Sequence, residues 1–320
     1  MFVYVARRIV YVIPIIISVA LVCFMLVHIT PGDPLVAVLP ADASQELANQ
    51  LRAAYGFDRP LPVQFGLWLW RAVNGDLGHS IATGRPVLSE VMRAVGNTVT
   101  LAMAAAMIGF SFGLLFGLIA GYFRDTWIDK VATSIAIAGV SVPHYWLGMV
   151  LVIIFSVQLN WLPAVGAGSG GSGGSGSWAW DWEHIRYLVL PAITTSVIPM
   201  GIVTRTVRAL TGDILSQDFV EALRAKGLRE TRVFRHVIKN AAPTALAVMG
   251  LQLGYMLGGS ILIETVFSWP GSGLLLNSAI FQRDLPLLQG TILVLALFFV
   301  ILNLMVDIAQ AAIDPRIKRS

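Results

Sequence analysis

Asp218–Asn240 reads DFVEALRAKGLRETRVFRHVIKN, a polar and basic stretch set between two strongly apolar ones. Asp218 is a good helix N-cap and Glu221 falls at the reciprocal N3 position, so the pattern predicts a short helix through Lys226. Gly227 then ends it, because glycine accepts the left-handed backbone that a helix C-terminus often needs. A second helix restarts from Leu228, with Arg229, Arg232, Arg235 and Lys239 at helical spacing and Val233, Phe234, Val237 and Ile238 on other sides. One face is wet and the other packs. The stretch is expected outside the bilayer as a helix-turn-helix, held by the membrane segments around it.

Composition agrees with that setting. The chain has 320 residues, of which 56% are hydrophobic and 12% charged, against about 25% charged in soluble domains. This is the composition of an integral membrane protein. A net charge of +4 says less about partners than the placement of the charges does. Cys23 stands alone inside an apolar run, which rules out an intrachain disulfide.

Apolar runs at about 9–29, 99–122, 131–157, 185–207, 241–267 and 287–313 can each cover a hydrocarbon core that needs about 20 helical residues. The expected fold is therefore all-α, with six transmembrane helices. The first run is longer than a secretory signal core and exits through His28-Ile29-Thr30 into Pro31-Gly32-Asp33-Pro34, so an uncleaved anchor is expected. The expected organisation is an N-terminal transmembrane helix over 1–30 and an extracytoplasmic helical segment over 31–97. A five-helix permease core over 98–313 then carries the basic loop 208–240, and a tail follows over 314–320.

Arg7, Arg8, Arg124, Lys130, Arg205, Arg208, the cations of 224–239 and those of 316–319 fall on one side, against Arg186 and Arg283 in the short loops of the other. The positive-inside rule makes the first side cytoplasmic, with both termini. In the outer segment, Ser44 to Ala54, Val63 to Val73 and Leu88 to Ala94 read as helices, with Trp68 and Trp70 suited to an interface and Asn74-Gly75-Asp76 as a turn. Gly168–Ser177, GSGGSGGSGS, is a flexible linker by composition.

Chemistry of catalysis is not visible. No GxxxxGK[ST] phosphate loop, HExxH or paired-Cys metal motif occurs, no nucleophile elbow is visible outside the glycine-serine linker, and the five histidines show no metal-ligand spacing. The expectation is a non-enzyme that binds no metal or cofactor itself. His144 follows Ser141-Val142-Pro143 inside the third run and has two readings, packing or lining a pathway. Glu264 and Asp307 are carboxylates in or near apolar spans, where burial is costly and function is the default hypothesis. For Glu264, a pathway or gate contact stands beside simple interfacial pairing. Gly113, Gly117 and Gly121, and again Gly250, Gly254 and Gly258, recur every four residues and allow close helix approach, within this subunit or at a dimer seam.

Glu221-Ala222, with Gly227 six residues after the Glu and Val237 ten further on, resembles the EAA loop of ATP-binding-cassette importer permeases. Leu223 stands at the third family position instead of Ala, and Lys239-Asn240 replaces the usual closing Leu-Pro, with Pro243 arriving later. PGDP at 31–34, YGFDRPL at 55–61, GDLGHS at 75–80, ETVFSWPGSG at 264–273 and Asp314-Pro315-Arg316 are similar to the dipeptide, oligopeptide, glutathione and nickel branch of that family. The resemblance implies a type I importer permease fold. Glu221, Ala222, Arg224, Lys226, Gly227, Arg232 and His236 would then meet an ATPase subunit. Implied partners are a second homologous permease, two ABC ATPases that hold ATP-Mg, an extracytoplasmic solute-binding protein and the lipid of a bacterial cytoplasmic (inner) membrane. Nucleic acid is not among them: a DNA-reading helix-turn-helix would be pinned at the bilayer surface by the spans beside it. The implied cargo is a peptide or a glutathione-like solute. A secondary transporter or channel driven by an ion gradient is the alternative.

Overall fold

The computed structural model describes residues 2–29, 44–46, 58–168 and 181–313. These are helical: α1 (Phe2–Ile29), α2 (Leu61–Val73), α3 (Val87–Tyr122), α4 (Trp127–Ser141), α5 (His144–Leu151), α6 (Trp182–Leu215), α7 (Asp218–Ala225), α8 (Glu230–Gly259), α9 (Ile261–Val266), α10 (Ser272–Gln282) and α11 (Leu285–Ile313). A π-helical stretch, Val152–Gln158, continues α5. Among the described residues the only β-pairing is a single bridge between His79 and Pro86. Most of the helix expected from Ser44 and nearly all of the glycine-serine linker fall outside the described residues.

Among the described residues four helices are long and apolar enough to cross a bilayer: α3, α6, α8 and α11. A fifth candidate is α4 with α5 and its π extension, bent by 97° at the break between them. The third run expected from the sequence, 131–157, is thus a broken one. Pro143 has no N–H and forces Val142 out of the helical region, to φ −81 and ψ 129. Two further boundaries differ from expectation. The amphipathic segment 88–94 is the start of the 36-residue α3. The second helix of the basic loop is the first third of the 30-residue α8, which then enters the apolar region without interruption.

The chain divides into two compact units. One comprises Asn97–Pro270 with Leu302–Ser320. Within it α6 packs on α8, α4 and α5. The glycines of α3 set a close approach to α6: a Cβ placed on Gly117 would lie 2.7 Å from Val207 Cβ and 2.8 Å from the Thr204 carbonyl, and one on Gly121 would lie 2.6 Å from Thr211 Cβ. The small-residue repeat therefore serves packing inside this chain. Away from it, Met103, Met107, Leu115 and Ile119 are exposed, as suits a lipid-facing stripe.

The other unit comprises Phe2–Gly96 with Gly271–Ile301. Ala20 and Cys23 of α1 pack with Leu293, Phe65 and Trp68. Gln289 donates to the Cys23 carbonyl at 2.9 Å, and His28 and Gln64 meet at 3.1 Å. The turn at 74–76 forms with Gly75 at φ +82. The loop after it is fastened to the start of α11: Asp284, 1% exposed, accepts from Ser80 Oγ and from the Ala82 N–H, and also caps the helix at Leu287.

Candidate functional site

The turn between α7 and α8 is built on a small apolar core. Val220, Val233, Val237, Ala241 and Ile214 are buried together, with Phe219, Leu223, Leu228 and Phe234 packed against them. Tyr122 meets the Phe234 ring edge-on at 5.3 Å. Helix spacing then turns every other side chain outward. Glu221, Ala222, Arg224, Lys226, Gly227, Arg232 and His236 are all exposed.

Gly227 has φ +77 and nothing within 4 Å of where a Cβ would sit. Its N–H donates to the Arg224 carbonyl at 2.9 Å, and the Leu228 N–H reaches the Leu223 carbonyl at 3.2 Å. Arg224 bridges the turn to Glu230 with two hydrogen bonds, 2.9 and 3.2 Å long. These bonds to the Glu230 carboxylate also raise the Arg224 pKa above its ordinary value. The expected start of α7 shifts by one residue. Gln217 holds the cap position with an extended backbone and makes no side-chain cap bond, while Asp218 and Glu221 lie in the first turn, where a negative charge suits the helix dipole.

Beside this turn lies a charge pair that sequence reasoning missed. Asp129, 2% exposed, takes two hydrogen bonds from Arg208, Nε to Oδ1 at 2.5 Å and Nη2 to Oδ2 at 2.6 Å. The Asp125 N–H adds a bond to Oδ2 and Thr133 Oγ1 one to Oδ1. Asp125 itself has φ +66, and Arg124 reaches Asp213 at 3.6 Å. The loop from α3 to α4 is thereby tied to the end of α6 that leads into α7. The available signal was an acid just before the apolar run that begins at about 131, between Arg124 and Lys130, but its partner lies 79 residues away.

Glu264 is fully buried. Its Oε1 accepts from Thr98 Oγ1 at 2.8 Å and from Ser260 Oγ at 2.9 Å. Its carbonyl accepts the Trp269 N–H at 2.8 Å. Asn97, next to Thr98, donates to the Pro270 carbonyl at 2.8 Å, and Trp269 Nε1 donates to the Asn97 carbonyl at 3.0 Å. The segment 264–270 is thus clamped to the beginning of the apolar part of α3. His144 opens α5 directly after the Pro143 break and lines a pocket with Ser260, whose hydroxyl holds Glu264. The structure brings His144 and Glu264 into one neighbourhood through Ser260, and places the exposed basic turn elsewhere in the same unit. Among the described residues no group of three or more His, Cys, Asp or Glu side chains is assembled that could hold a metal ion.

Apolar helices of bilayer length, one span of them broken by a sharp bend, with an exposed basic turn at the start of another, define a polytopic α-helical membrane protein. The chain belongs to the family of binding-protein-dependent transport system inner membrane components, whose model matches residues 113–319, and a companion model for the N-terminal part of such components matches 1–104. It is 38% identical over 316 residues to the glutathione transport system permease protein GsiC of Escherichia coli, with 98% of both chains covered. It is 36% identical over 332 residues to the dipeptide transport system permease protein DppB of Alkalihalophilus pseudofirmus, covering 99% of this chain and 100% of that one. Among solved structures, an inward-facing MetNI methionine ABC transporter chain aligns with a TM-score of 0.57 at 15% identity, over 71% of this chain and 97% of the other. That likeness supports the type I importer permease fold.

Proposed function

We propose that this chain is a pore-forming permease subunit of an ATP-binding-cassette importer that carries peptides or glutathione-like solutes across the bacterial cytoplasmic membrane. The cargo class comes from the names of the relatives, a glutathione and a dipeptide permease. Energy comes from ATP-Mg on two separate ATPase subunits, a second homologous permease completes the pore, and an external solute-binding protein delivers the cargo. Six crossings, α1, α3, α4 with α5, α6, α8 with α9, and α11, put both termini in the cytoplasm with the α7–α8 turn. The family assignment leaves an ion-gradient-driven transporter without support.

The observation that carries the docking role is the turn itself. Its exposed Glu221, Arg224, Lys226, Arg232 and His236 stand on a buried apolar core continuous with the 30-residue α8. A push on this turn is therefore delivered to a membrane helix and not absorbed by a loop. ATP-driven closure of the ATPases can reorient the pore only because they bind one conformation better than the other.

The test is purification of the chain from its native membrane in mild detergent, wild type beside an E221A/G227P double variant. An ATPase that accompanies the wild type and is lost from the variant is the expected result. A wild-type chain that arrives alone as a stable homo-oligomer overturns the assignment.

A further inference from the structure

One buried carboxylate builds an exposed apolar knob within the unit of Phe2–Gly96 and Gly271–Ile301. Asp284, between α10 and α11, accepts from Ser80 Oγ and from the Ala82 N–H, and Ile81 between those two is 46% exposed. On the other side of the same anchor, the last turn of α10 carries Ile280 and Phe281, 53% and 81% exposed. Among the described residues no large apolar side chain is more exposed than Phe281.

The knob is preformed. The loop at Ile81 is closed by the Ser80 N–H on the Arg85 carbonyl at 2.9 Å and the Thr83 N–H on Ser80 Oγ at 3.0 Å. The end of α10 is closed by the Arg283 N–H on the Ile280 carbonyl and the Asp284 N–H on the Ala279 carbonyl, at 3.2 and 2.9 Å. That closure holds Arg283 at φ +54, a left-handed backbone that glycine takes without strain and arginine does not. Arg283 is exposed and has no ion pair among the described residues, whereas Arg85 of the loop is offset by Glu90 at 3.8 Å. A fixed apolar group beside an unpaired guanidinium is the make-up of an interface anchor, and a surface ordered in advance loses little entropy when a partner docks.

Crossing order says which partner. The Ile81 loop lies between α1 and α3 and α10 lies between α8 and α11, and the Asp284 bonds require both to be on one side. In the six-crossing arrangement proposed above that side is extracytoplasmic, where a binding-protein-dependent system meets its soluble partner. A side chain that merely dipped into lipid would gain nothing from so firmly held a backbone.

We propose that Phe281, together with Ile280, Ile81 and Arg283, is a docking anchor for the extracytoplasmic solute-binding protein, entering an apolar pocket rimmed by carboxylates on that partner. The inference rests on the importer reading above.

The test uses the complete importer in proteoliposomes, with peptide uptake measured against the concentration of its purified solute-binding protein outside. Phe281→Ser is compared with Arg283→Asn, chosen because asparagine keeps the left-handed backbone, and with Leu61→Ser, which removes an exposed apolar side chain from α2 outside the knob. The expected result is a several-fold rise in the half-saturating binding-protein concentration for Phe281→Ser at unchanged thermal midpoint, a smaller rise for Arg283→Asn, and none for Leu61→Ser. Cys23 is buried and is the chain's single cysteine, so a Cys23→Ala background, with partner subunits free of cysteine, allows a bimane to be attached at Phe281→Cys. The binding protein should shield that bimane, and doxyl-labelled lipid should leave it unquenched. If the wild type shows no uptake that depends on the binding protein, the importer reading itself falls. If the wild type responds and Phe281→Ser responds at the same half-saturation, or if lipid quenches the bimane and the binding protein does not shield it, the docking assignment falls and the importer reading stands.

Discussion

Thr98 and Glu264, 166 residues apart in the chain, share a buried hydrogen bond of 2.8 Å that fastens the segment after α9 to α3. Ser260 donates to the same carboxylate oxygen. Thr98→Val removes one donor and leaves the carboxylate with its others, whereas Glu264→Ala takes the acceptor from both the Thr98 and the Ser260 hydroxyl. A buried polar group left without its partner costs about 1–3 kcal/mol. Glu264→Ala is therefore expected to lower the thermal midpoint in detergent clearly more than Thr98→Val, with Glu264→Gln between them because the amide oxygen still accepts. Equal midpoints for all three variants would show that the clamp is not held by this carboxylate.

The Asp129–Arg208 pair makes a second clamp, at the end of α6 that feeds the basic turn. Arg208 is 30% exposed, so its desolvation is partial, while Asp129 is almost completely enclosed. Removing the cation leaves a buried carboxylate with only the Asp125 N–H and Thr133 hydroxyl. Arg208→Met should cost about 1–3 kcal/mol, less than for a fully buried pair because water reaches the guanidinium. Arg208→Lys should recover only part of it, since an ammonium cannot repeat the two-pronged contact. Thermal unfolding of the purified chain checks the order wild type, Lys, Met; a Met variant as stable as wild type rules the clamp out as a structural tie.

Much of the architecture was legible because hydrophobic run length reports a span directly. What run length does not report is a bend. Ser141-Val142-Pro143 was visible, yet only the structure shows that the chain turns by 97° there and then continues as a π-helix. The break at Ser260 carries no proline at all, and the turn that follows α9, closed by the Trp269 N–H on the Glu264 carbonyl, lies past it. Partner choice was equally hidden. Nothing near Asp129 names Arg208, 79 residues away, and Ser80 of the GDLGHS stretch gave no sign of Asp284, 204 residues away. The basic turn was legible in detail because its determinants, Gly227 and the 3.6-residue alternation, are local; only its cap residue moved, from Asp218 to Gln217.

Close packing of α3 on α6 gives a steric prediction. A Cβ on Gly117 would meet Val207 Cβ at 2.7 Å and backbone oxygen of Thr204 at 2.8 Å, and neither can move without moving α6. Gly117→Ala should cost about 1–3 kcal/mol as overpacking, and Gly117→Leu more. Gly66, with nothing within 4 Å, is the control, and its alanine variant should stay near wild type apart from helix propensity. Expression level and thermal midpoint separate the two; an undisturbed Gly117→Leu would mean that the α3–α6 contact is looser than described.

Gly227 offers the sharpest test of the docking turn, because its constraint is backbone conformation and not space. At φ +77 with no neighbour within 4 Å, any L side chain fits sterically but strains the main chain. The left-handed region costs roughly 1–2 kcal/mol for an ordinary residue and less for Asn. A β-branched residue suffers most among those that can still enter it, and proline, locked near φ −65°, cannot enter it at all. ATP-dependent peptide uptake by the reconstituted importer should therefore fall in the order Gly, Asn, Ala, Val, Pro. The amount of chain inserted in the membrane should stay constant across the series, since α8 is anchored by its apolar length well beyond the turn. For Gly227→Pro, ATP hydrolysis should persist or be lost with the ATPase, but transport should not follow it. Normal ATP-dependent uptake by Gly227→Pro would remove the α7–α8 turn from the coupling path.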